Sequence, residues 1–337
     1  MGAPFTVLLS SAGRRVELLR GFRAALAELG LDGRVLAVDR SSYSSAFHDA
    51  DAAALVPGCD EPGFVPAVLD LCAEHGVDLV VPTIDPELPV YAAARERFAA
   101  AGVTVAVSSP EAVALAADKR ATHRWLASHG LPTVAQGTPA DVAADPAAWP
   151  FPLVVKPRRG SAGIGVAVVH DADELALAAR RVGGAGGSAV VEARAPGDEH
   201  TIDVLVDRGG RCVSAVPRRR LEVRAGEVSK GVTVRSPALE ALAVGVADAL
   251  PGAYGPLTVQ AFTVDGDADR TAVIEVNARF GGGFPLAREA GADHCRWLVE
   301  DVAGLPSTAR ADAWRDGVVM LRYDAAVFVR PEDGGPS

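Results

Sequence analysis

A short stretch of the sequence, "AVIEVNARF" at residues 272–280, brings together side chains suited to a metal ion and a phosphate. It holds the only asparagine among 337 residues, Asn277, with Glu275 two positions before it and Arg279 two positions after it. On a strand, side chains two positions apart share a face, so these three would point the same way. Carboxylate and amide oxygens suit Mg²⁺, with nucleotide phosphates and water completing the octahedron. Asparagine is also common in turns, so this stretch alone leaves a purely structural reading open.

Neighbouring residues extend this candidate metal set. Gln260, in the strand pattern "LTVQAF", would lie across from Glu275 in an antiparallel pair and would be a further metal ligand. Arg279 would hold a transferring phosphoryl group or the oxyanion that follows it. The glycines after Arg279, Gly282 among them, would let the backbone approach a substrate closely.

Lysine is the second rare residue type in this chain. Of 33 basic residues only three are lysines, namely Lys119, Lys156 and Lys230. Arginine serves where only positive charge is needed, whereas a compact ammonium group meets a phosphate oxygen as a point charge. The three lysines are therefore candidates for specific chemistry, and accidental surface positions are the alternative.

Lys156 precedes a glycine-rich loop in "LVVKPRRGSAGIGVAVV". Backbone N–H groups of such a loop close on oxyanions. The loop is not a Walker A motif, because it lacks the GK[ST] sequence and a following helix. Its glycines, Gly160, Gly163 and Gly165, lie between two apolar strand patterns, which predicts a hairpin that folds over a polyphosphate as a lid. A plain hairpin with no ligand is the alternative.

The carboxylates of "SAVVEARAPGDEH" are a weaker signal. Glu192 ends a buried strand pattern, and Glu199 follows a Pro-Gly turn. Backbone groups leaving such a strand would meet an adenine edge, and Glu199 would accept hydrogen bonds from ribose hydroxyls. Two glutamates around a turn are usually just solvated, so the pair carries little by itself.

Two loops near the N-terminus suit a small charged substrate. "SSAGRR" follows the first strand pattern and lacks the GxGxxG dinucleotide fingerprint, but it offers hydroxyls, a helix N-terminus and Arg14 and Arg15 to an anion. "PTIDPELP" places Asp85 and Glu87 after another strand, at the edge where open α/β sheets bind ligands. Arg14, Asp85 and Glu87 together suggest a zwitterion, although capping or loop solvation explains each residue equally well.

The third lysine lies in "RRRLEVRAGEVSKGV", where Arg218 to Arg220 and Lys230 flank a turn at residues 225–226. This basic hairpin would contact a γ-phosphate or a substrate carboxylate, with Lys230 in a catalytic role and Arg219 as a substrate contact. A solvated basic strand is the alternative.

The elements that must position these residues fall into two kinds. Residues 1–112 alternate strand and helix patterns, beginning with strand "FTVLL", helix "VELLRGFRAALAELG" and strand "RVLAVD", which predicts an open, doubly wound parallel α/β domain. Residues 201–280 are richer in strand patterns, which predicts an antiparallel sheet with flanking helices. We divide residues 113–330 into a small subdomain with the glycine-rich lid at 113–188 and a C-terminal subdomain with the metal site at 189–330. The last seven residues, 331–337, are expected to be disordered.

Composition excludes several classes of protein. The chain carries a formal net charge of −10 with scattered arginines, so nucleic acid is not expected as a partner. It lacks a run of about 18 apolar residues and a signal-peptide pattern, so neither a membrane span nor export is expected. Its four cysteines are far apart and show no zinc spacing, which favours reduced thiols and a cytoplasmic location.

The motifs resemble those of the ATP-grasp superfamily in kind and in their order along the chain. That order is Lys119, Lys156 with its glycine loop, Glu192, Glu199, Gln260 and then Glu275-x-Asn277-x-Arg279. More narrowly, the chain looks like the short single-unit proteins related to the synthetase half-domains of the carbamoyl phosphate synthase large subunit. "EVNAR" stands where that family commonly has Glu-x-Asn-Pro-Arg, and Ala278 in place of proline removes no ligand. The resemblance covers nearly the whole chain and implies an α/β pre-ATP-grasp domain followed by an ATP-grasp domain of two subdomains.

The resemblance also implies roles for particular residues. Lys119 and Lys156 would contact ATP phosphates, with Gly160, Ser161 and Gly163 covering them. Glu192 and the backbone at Ala193 and Ala195 would hold adenine, and Glu199 the ribose. Glu275 and Asn277, helped by Gln260, would bind Mg²⁺, and Mn²⁺ would suit the same ligands.

The implied chemistry is phosphorylation of a small-molecule carboxylate by ATP, followed by attack of an amine such as that of an amino acid on the acyl phosphate. Carboxyphosphate or carbamate chemistry, a small-molecule kinase and a non-catalytic ATP-binding subunit are the alternatives. A homodimer is a candidate assembly. The identity of both substrates is beyond the sequence.

Overall fold

The computed structural model describes residues 4–160, 163–183, 189–224, 226–264 and 267–330. Three β-sheets organise these residues. The first is parallel and the other two are antiparallel, so the predicted combination of α/β and α+β architecture is confirmed. The predicted disordered tail, 331–337, lies outside the described residues.

The N-terminal part is a five-stranded parallel sheet with strand order β3-β2-β1-β4-β5. Its strands are β1 (Pro4–Ser10), β2 (Asp32–Asp39), β3 (Ala52–Leu55), β4 (Leu79–Pro82) and β5 (Thr104–Val105). Its helices are α1 (Val16–Glu28), α2 (Ser45–Asp49), α3 (Phe64–His75) and α4 (Leu88–Ala100). The predicted strand-helix-strand at the start corresponds to β1, α1 and β2. The short α2 and β3 were not predicted, and "AAAL" in β3 lacks β-branched residues.

Residues that follow the parallel sheet form α5 (Pro110–Ala116), α6 (Lys119–Ser128) and a four-stranded antiparallel sheet of order β6-β9-β7-β8. The strands are β6 (Gln136–Gly137), β7 (Leu153–Pro157), β8 (Ala167–Val169) and β9 (Ala189–Ala193), with helices α7 (Pro139–Ala144) and α8 (Ala172–Gly183). The predicted domain boundary after residue 112 falls inside α5. The boundary after residue 188 falls before β9, which pairs with β7 and β6 and so belongs to this small sheet.

The C-terminal part is a six-stranded antiparallel sheet of order β14-β13-β10-β11-β12-β15. Its strands are β10 (Asp198–Val206), β11 (Cys212–Arg224), β12 (Glu227–Thr233), β13 (Gly255–Thr263), β14 (Thr271–Asn277) and β15 (Val319–Leu321). Its helices are α9 (Pro237–Ala249), α10 (Phe284–Ala290) and α11 (His294–Ala303).

An apolar contact joins the first and the last of these parts. Phe22 of α1 packs edge-on against Phe280, with ring centroids 6.1 Å apart, and both belong to one buried cluster that includes Leu298 of α11. Burial of such side chains is worth roughly 1.5–3 kcal/mol each. This contact fixes the loops at the carboxyl ends of β1 and β4 next to the end of β14. Within the described residues, no helix is both long and apolar enough to cross a membrane.

Candidate active site

A cleft of about 830 Å³ is lined by strands of both antiparallel sheets and by the loops that follow β1 and β4 of the parallel sheet. Most of the residues singled out in the sequence line it, and they come from four separate regions of the chain. These are Asp85, Lys119, Lys156, Gly160, Gly163, Glu192, Ala193, Ala195, Glu199, Gln260, Glu275, Asn277, Arg279 and Gly282. The fold therefore brings together residues that lie up to 197 positions apart (282 − 85).

One end of the cleft carries the candidate metal ligands on β13 and β14. Gln260 lies directly opposite Glu275 in the antiparallel ladder, as the sequence predicted, and a bulge follows this pair. The side chains of Glu275, Asn277 and Gln260 make no hydrogen bond within the described part of the chain. Asn277 is nevertheless only 8% exposed. These three side chains line the cleft without a hydrogen bond to the described chain, so their oxygens are available to a ligand there.

The electrostatics of Glu275 support a cation at this end. Burial raises the pKa of its carboxyl group, and the nearby ammonium groups of Lys119 and Lys156 lower it. Lys119 Nζ lies 3.8 Å from Glu275 Oε1. The donor set of one carboxylate and two amide oxygens fits Mg²⁺, which usually keeps water and phosphate oxygens as its other ligands.

Lys119 begins α6, and its helix start is well defined. Asp118 caps the helix by accepting hydrogen bonds from the N–H groups of Arg120 and Ala121. Lys119 Nζ donates to the carbonyl of Gly160 at 2.7 Å, at the start of the glycine-rich loop. Burial lowers the pKa of Lys119, because the charged ammonium group loses solvation. The side chain is thus a desolvated cation facing the cleft.

Lys156 is held from behind by a carboxylate. Its Nζ lies 2.6 Å from Glu192 Oε2, and both side chains are about 5% exposed. Gln136 donates to the other oxygen of Glu192 at 2.9 Å. Because the Glu192 carboxylate has both oxygens occupied, the groups left for an adenine at this position are the backbone of Ala193 and Ala195. Glu199, predicted to meet the ribose, lines the cleft while paired with Arg220.

The glycine-rich loop is tethered at its first residues. Arg158 lies in an ion pair with Asp118, at 2.6 Å between Arg158 Nη2 and Asp118 Oδ2. Gly160 and Gly163 have φ angles of +118° and +71°, a region that favours glycine. Ser161 lies outside the described residues.

The other end of the cleft is formed by the loops after β1 and β4. Arg279 binds Asp85 through two hydrogen bonds of 2.8 Å each, which link the end of β14 to the loop after β4. Arg15 lines the cleft beside this pair, with Nη2 3.5 Å from the carbonyl of Thr83. Glu227 of β12 completes this end and forms ion pairs with Arg14 and Arg322.

Two of the three glycines after Arg279, Gly281 and Gly283, pack against a buried ion pair. Arg218 Nε donates to Asp203 Oδ2 at 2.7 Å, and both side chains are at most 4% exposed. A Cβ on Gly283 would lie 2.5 Å from Arg218 Cζ, and a Cβ on Gly281 would lie 3.1 Å from the same guanidinium. These positions therefore need glycine because the arginine fills the space that a side chain would take.

Two protein-family models match this chain on either side of the cleft. A model of the PylC-like N-terminal domain matches residues 7–106, and a model of the ATP-grasp domain matches residues 116–283. The second match contains every candidate phosphate and metal residue named above.

The chain belongs to the ATP-grasp superfamily.

Named relatives of this ATP-grasp chain include carbon–nitrogen ligases. D-alanine–D-alanine ligase of Acidiphilium cryptum is 28% identical over 220 residues, which are 60% of this chain and 72% of the relative. Other curated relatives are matched over 35% to 60% of their own lengths.

Solved structures show the same fold. The biotin carboxylase domain of Hydrogenobacter thermophilus 2-oxoglutarate carboxylase, in complex with MgADP and bicarbonate, aligns with a TM-score of 0.71 at 19% identity and covers 94% of this chain and 73% of that one. L-amino acid ligase from Bacillus licheniformis aligns with a TM-score of 0.67 at 22% identity and covers 90% and 75% of the two chains.

Four predicted residues lie outside the cleft of this ATP-grasp chain. Lys230 is half exposed and pairs with Glu222 at 2.7 Å, and Arg219 is 45% exposed and pairs with Asp198. Neither side chain lines the cleft, so their expected contacts to phosphate or substrate are not supported. Arg14 is 67% exposed and pairs with Glu227 at the rim.

Glu87 is the fourth of these residues, and it is fully buried. Its carboxylate accepts hydrogen bonds from the hydroxyls of Ser10 and Ser11 and from the N–H groups of Thr83 and Ile84. It therefore ties the loops after β1 and β4 together and has no oxygen left for a substrate. Burial raises the pKa of this carboxyl group, and the four hydrogen bonds lower it.

Sequence reasoning did not single out Arg218, Arg220 and Glu227 individually, and it gave Arg15 no role of its own. Strand alternation was the available signal for the basic strand, because Arg218 and Arg220 face the cleft while Arg219 faces solvent. For Arg15 the signal was its position directly before α1. Nothing in the sequence pointed to Glu227, which reaches the cleft through the packing of β12 against the N-terminal loops.

Proposed function

We propose that this chain is an ATP- and Mg²⁺-dependent ligase that activates a small-molecule carboxylate as an acyl phosphate and joins it to an amine. The observation that carries the proposal is that Glu275 and Asn277, whose side chains make no hydrogen bond within the described residues, line the same cleft as the desolvated Lys119. Such a set suits a metal-bound triphosphate, in which each negative charge meets a cation.

In this proposal separate groups of residues along the cleft bind the phosphates, the metal ion and the transferring group. Lys119 and Lys156 bind phosphate oxygens, and the glycine-rich loop covers them and excludes water. Glu275 and Asn277 hold the metal, with Gln260 beside them; when bound, Mg²⁺ neutralises phosphate charge. Arg279, oriented by Asp85, faces the transferring group from the other side.

The proposed reaction consists of two transfers. A carboxylate oxygen attacks the γ-phosphorus of ATP, and the bond to the β-phosphate oxygen breaks to release ADP. The amine nitrogen then attacks the acyl carbon, the carbon–oxygen bond to phosphate breaks, and the amine loses a proton as the amide and inorganic phosphate form. A carboxylate is a poor electrophile until its oxygen becomes a leaving group, so the ATP is needed.

A hydroxylamine trap tests the proposal. The full-length protein is incubated with ATP, Mg²⁺ and pools of carboxylates, with hydroxylamine as the nucleophile, and both ADP and hydroxamate are measured. We expect hydroxamate in proportion to ADP with at least one pool. ADP without hydroxamate would favour a kinase, and bicarbonate-dependent ADP release alone would favour carboxyphosphate chemistry. ATP binding by calorimetry with no ADP from any pool would indicate a non-catalytic subunit.

The setting of the enzyme is part of the same proposal. All four cysteines are free thiols, which supports a reducing compartment such as the cytoplasm. The net charge of −10 supports small molecules as partners and opposes nucleic acid. A homodimer is proposed as the assembly, since a structural neighbour is described as a domain dimer.

A further inference from the structure

Most cationic side chains that line the cleft have an acidic partner. Five of them lie within 4.0 Å of a carboxylate, namely Lys119, Lys156, Arg218, Arg220 and Arg279. Of the other two in the described residues, Arg194 is exposed to solvent, whereas Arg15 is partly buried. Among the described residues that line the cleft, Arg15 is therefore the only partly buried cation without a carboxylate within 4.0 Å.

The surroundings of Arg15 do not satisfy its guanidinium group. Its only hydrogen bond within the described chain is the 3.5 Å contact to the Thr83 carbonyl. Burial lowers its pKa, and the positive charges of Arg279 and Arg322 lower it further, against the opposing effect of Glu227 and Asp85. A guanidinium group has five N–H donors in a fixed fork that matches a carboxylate. A partly buried guanidinium group with a single weak hydrogen bond is therefore suited to bind an anion.

The position of Arg15 decides which anion this is. Arg15 Nη2 lies 3.5 Å from the carbonyl of Thr83, in the same loop as Asp85, and Asp85 binds Arg279 through two hydrogen bonds of 2.8 Å each. Glu275 lies at the Lys119 end of the cleft, 3.8 Å from Lys119 Nζ. Arg15 is thus on the Asp85 side of the cleft, and an anion bound here lies apart from the candidate metal ligands.

We propose that Arg15 binds the non-reacting carboxylate of the amine substrate, which makes that substrate an amino acid. This inference rests on the proposed ligase function. The amino acid lies with its carboxylate on Arg15 and its amine toward Arg279, where the activated carboxylate is held. Neutral Gly282 and the Glu227 carboxylate lie beside this position. Arg15 is a specificity residue in this arrangement, because an amine without a carboxylate leaves the partly buried guanidinium group unpaired.

The chain offers a matched control in the adjacent residue. Arg14 is 67% exposed, pairs with Glu227 at the rim and does not line the cleft. Arg14→Gln and Arg15→Gln remove the same charge from the same loop. A general loss of positive charge would affect both variants alike, whereas a specific receptor affects only the second.

The experiment measures ADP formation by the full-length protein with ATP, Mg²⁺ and all pairs of the common L-amino acids. For each active pair, either member is then replaced by its carboxamide. In the wild type and in Arg14→Gln we expect one of the two carboxamides to raise KM at least about tenfold with little change in kcat. In Arg15→Gln the KM for the amino acid should rise to that of its carboxamide.

Each outcome bears on the proposal. Undiminished preference for the amino acid over its carboxamide in Arg15→Gln would overturn it, as would equal effects in Arg14→Gln. If Arg15→Gln fails to fold, Arg15→Lys serves instead, because it keeps the charge and loses the fork; we expect an intermediate KM. ADP formation only with acetate or propionate plus simple alkylamines would leave the ligase function intact and overturn the amino acid inference. No ADP in either panel would overturn both.

Discussion

The guanidinium group of Arg279 faces the carboxylate of Asp85, with both nitrogen–oxygen distances at 2.8 Å, although the two residues are 194 positions apart. The pair joins the end of β14 to the loop after β4. It therefore connects the ATP-grasp part of the chain to the N-terminal domain at the cleft itself. Arg279 was predicted to contact phosphate and Asp85 to contact substrate. In the structure the two side chains form one ion pair.

Breaking this pair should show strong coupling. We expect a double-mutant cycle of Asp85→Asn and Arg279→Gln to give a coupling free energy of about 1–3 kcal/mol in urea unfolding, since the pair is two-pronged and partly buried. The control cycle is Asp207→Asn with Arg211→Gln, a pair whose arginine is 81% exposed and which should couple by less than about 1 kcal/mol. Additive effects at Asp85 and Arg279 would contradict the two-pronged geometry.

The sequence predicted individual residues of the cleft better than it predicted their pairing. Glu275, Asn277 and Gln260 follow from strand alternation and antiparallel pairing, which are local rules. The Arg279–Asp85 pair depends on how α1 packs against α11, and no local pattern specifies that packing.

The predicted substrate or phosphate roles of Glu87, Lys230 and Arg219 are not supported, and the reasons again lie in the tertiary structure. Glu87 is two residues from Asp85, but the 3₁₀ turn of Asp85–Glu87 directs it into the core while Asp85 lines the cleft. Lys230 and Arg219 were chosen for their charge, whereas both side chains are about half exposed and pair with Glu222 and Asp198 instead of lining the cleft. A rare residue type is a weak guide when the element that carries it has two faces.

Loss of the candidate metal ligands should remove activity without unfolding the protein. Because the side chains of Glu275 and Asn277 make no hydrogen bond within the described residues, we expect Asn277→Ala and Glu275→Gln to keep the wild-type circular dichroism spectrum and to lower ADP formation at least about 100-fold. Asn277→Asp keeps an oxygen ligand and should retain more activity than Asn277→Ala. Chelation by EDTA should abolish turnover and added Mg²⁺ should restore it. Loss of folded structure in these variants would instead mark the pair as structural.

Gly283 should tolerate no side chain. Its added Cβ would lie 2.5 Å from Arg218 Cζ and 2.7 Å from Val228 Cγ1, so the arginine would be pushed off Asp203. We expect Gly283→Ala to lower the free energy of unfolding by about 3 kcal/mol or more, because it disturbs a buried ion pair. Gly63→Ala is the control, since its Cβ would meet Pro57 Cγ at an ordinary 3.5 Å. Similar thermal midpoints for both variants would show that the glycine run has no packing role.

Glu87 should stabilise the arrangement of the loops that follow β1 and β4. Glutamine cannot accept the four hydrogen bonds that the buried carboxylate accepts from Ser10, Ser11, Thr83 and Ile84. We expect Glu87→Gln to cost about 1–3 kcal/mol in urea unfolding. The KM for the amine substrate should also rise, because Arg15 and Asp85 lie on the loops that Glu87 holds. Glu96→Gln on the exposed face of α4 is the control, and an equal effect there would remove the special role of Glu87.

His294 should make the stability of the protein depend on pH. Burial lowers the pKa of its imidazole from 6.5 to about 4, and its Nε2 lies 3.0 Å from Ser214 Oγ. The unfolded chain therefore binds a proton between about pH 6.5 and pH 4 that the folded chain does not bind. The free energy of unfolding is fully retained above pH 6.5 and falls by up to about 3 kcal/mol as the pH drops through this window.

Urea unfolding at pH 7.0 and pH 4.5 measures this contribution of His294 directly. In His294→Gln the pH-dependent loss should be smaller than in the wild type by about 2 kcal/mol or more, since the variant has no imidazole to protonate on unfolding. His129→Gln, at an exposed position, should keep the wild-type dependence. Carboxylates elsewhere contribute equally to all three proteins, so the difference isolates the buried imidazole. An identical pH dependence in His294→Gln and the wild type would mean that His294 is protonated in the folded protein despite its burial.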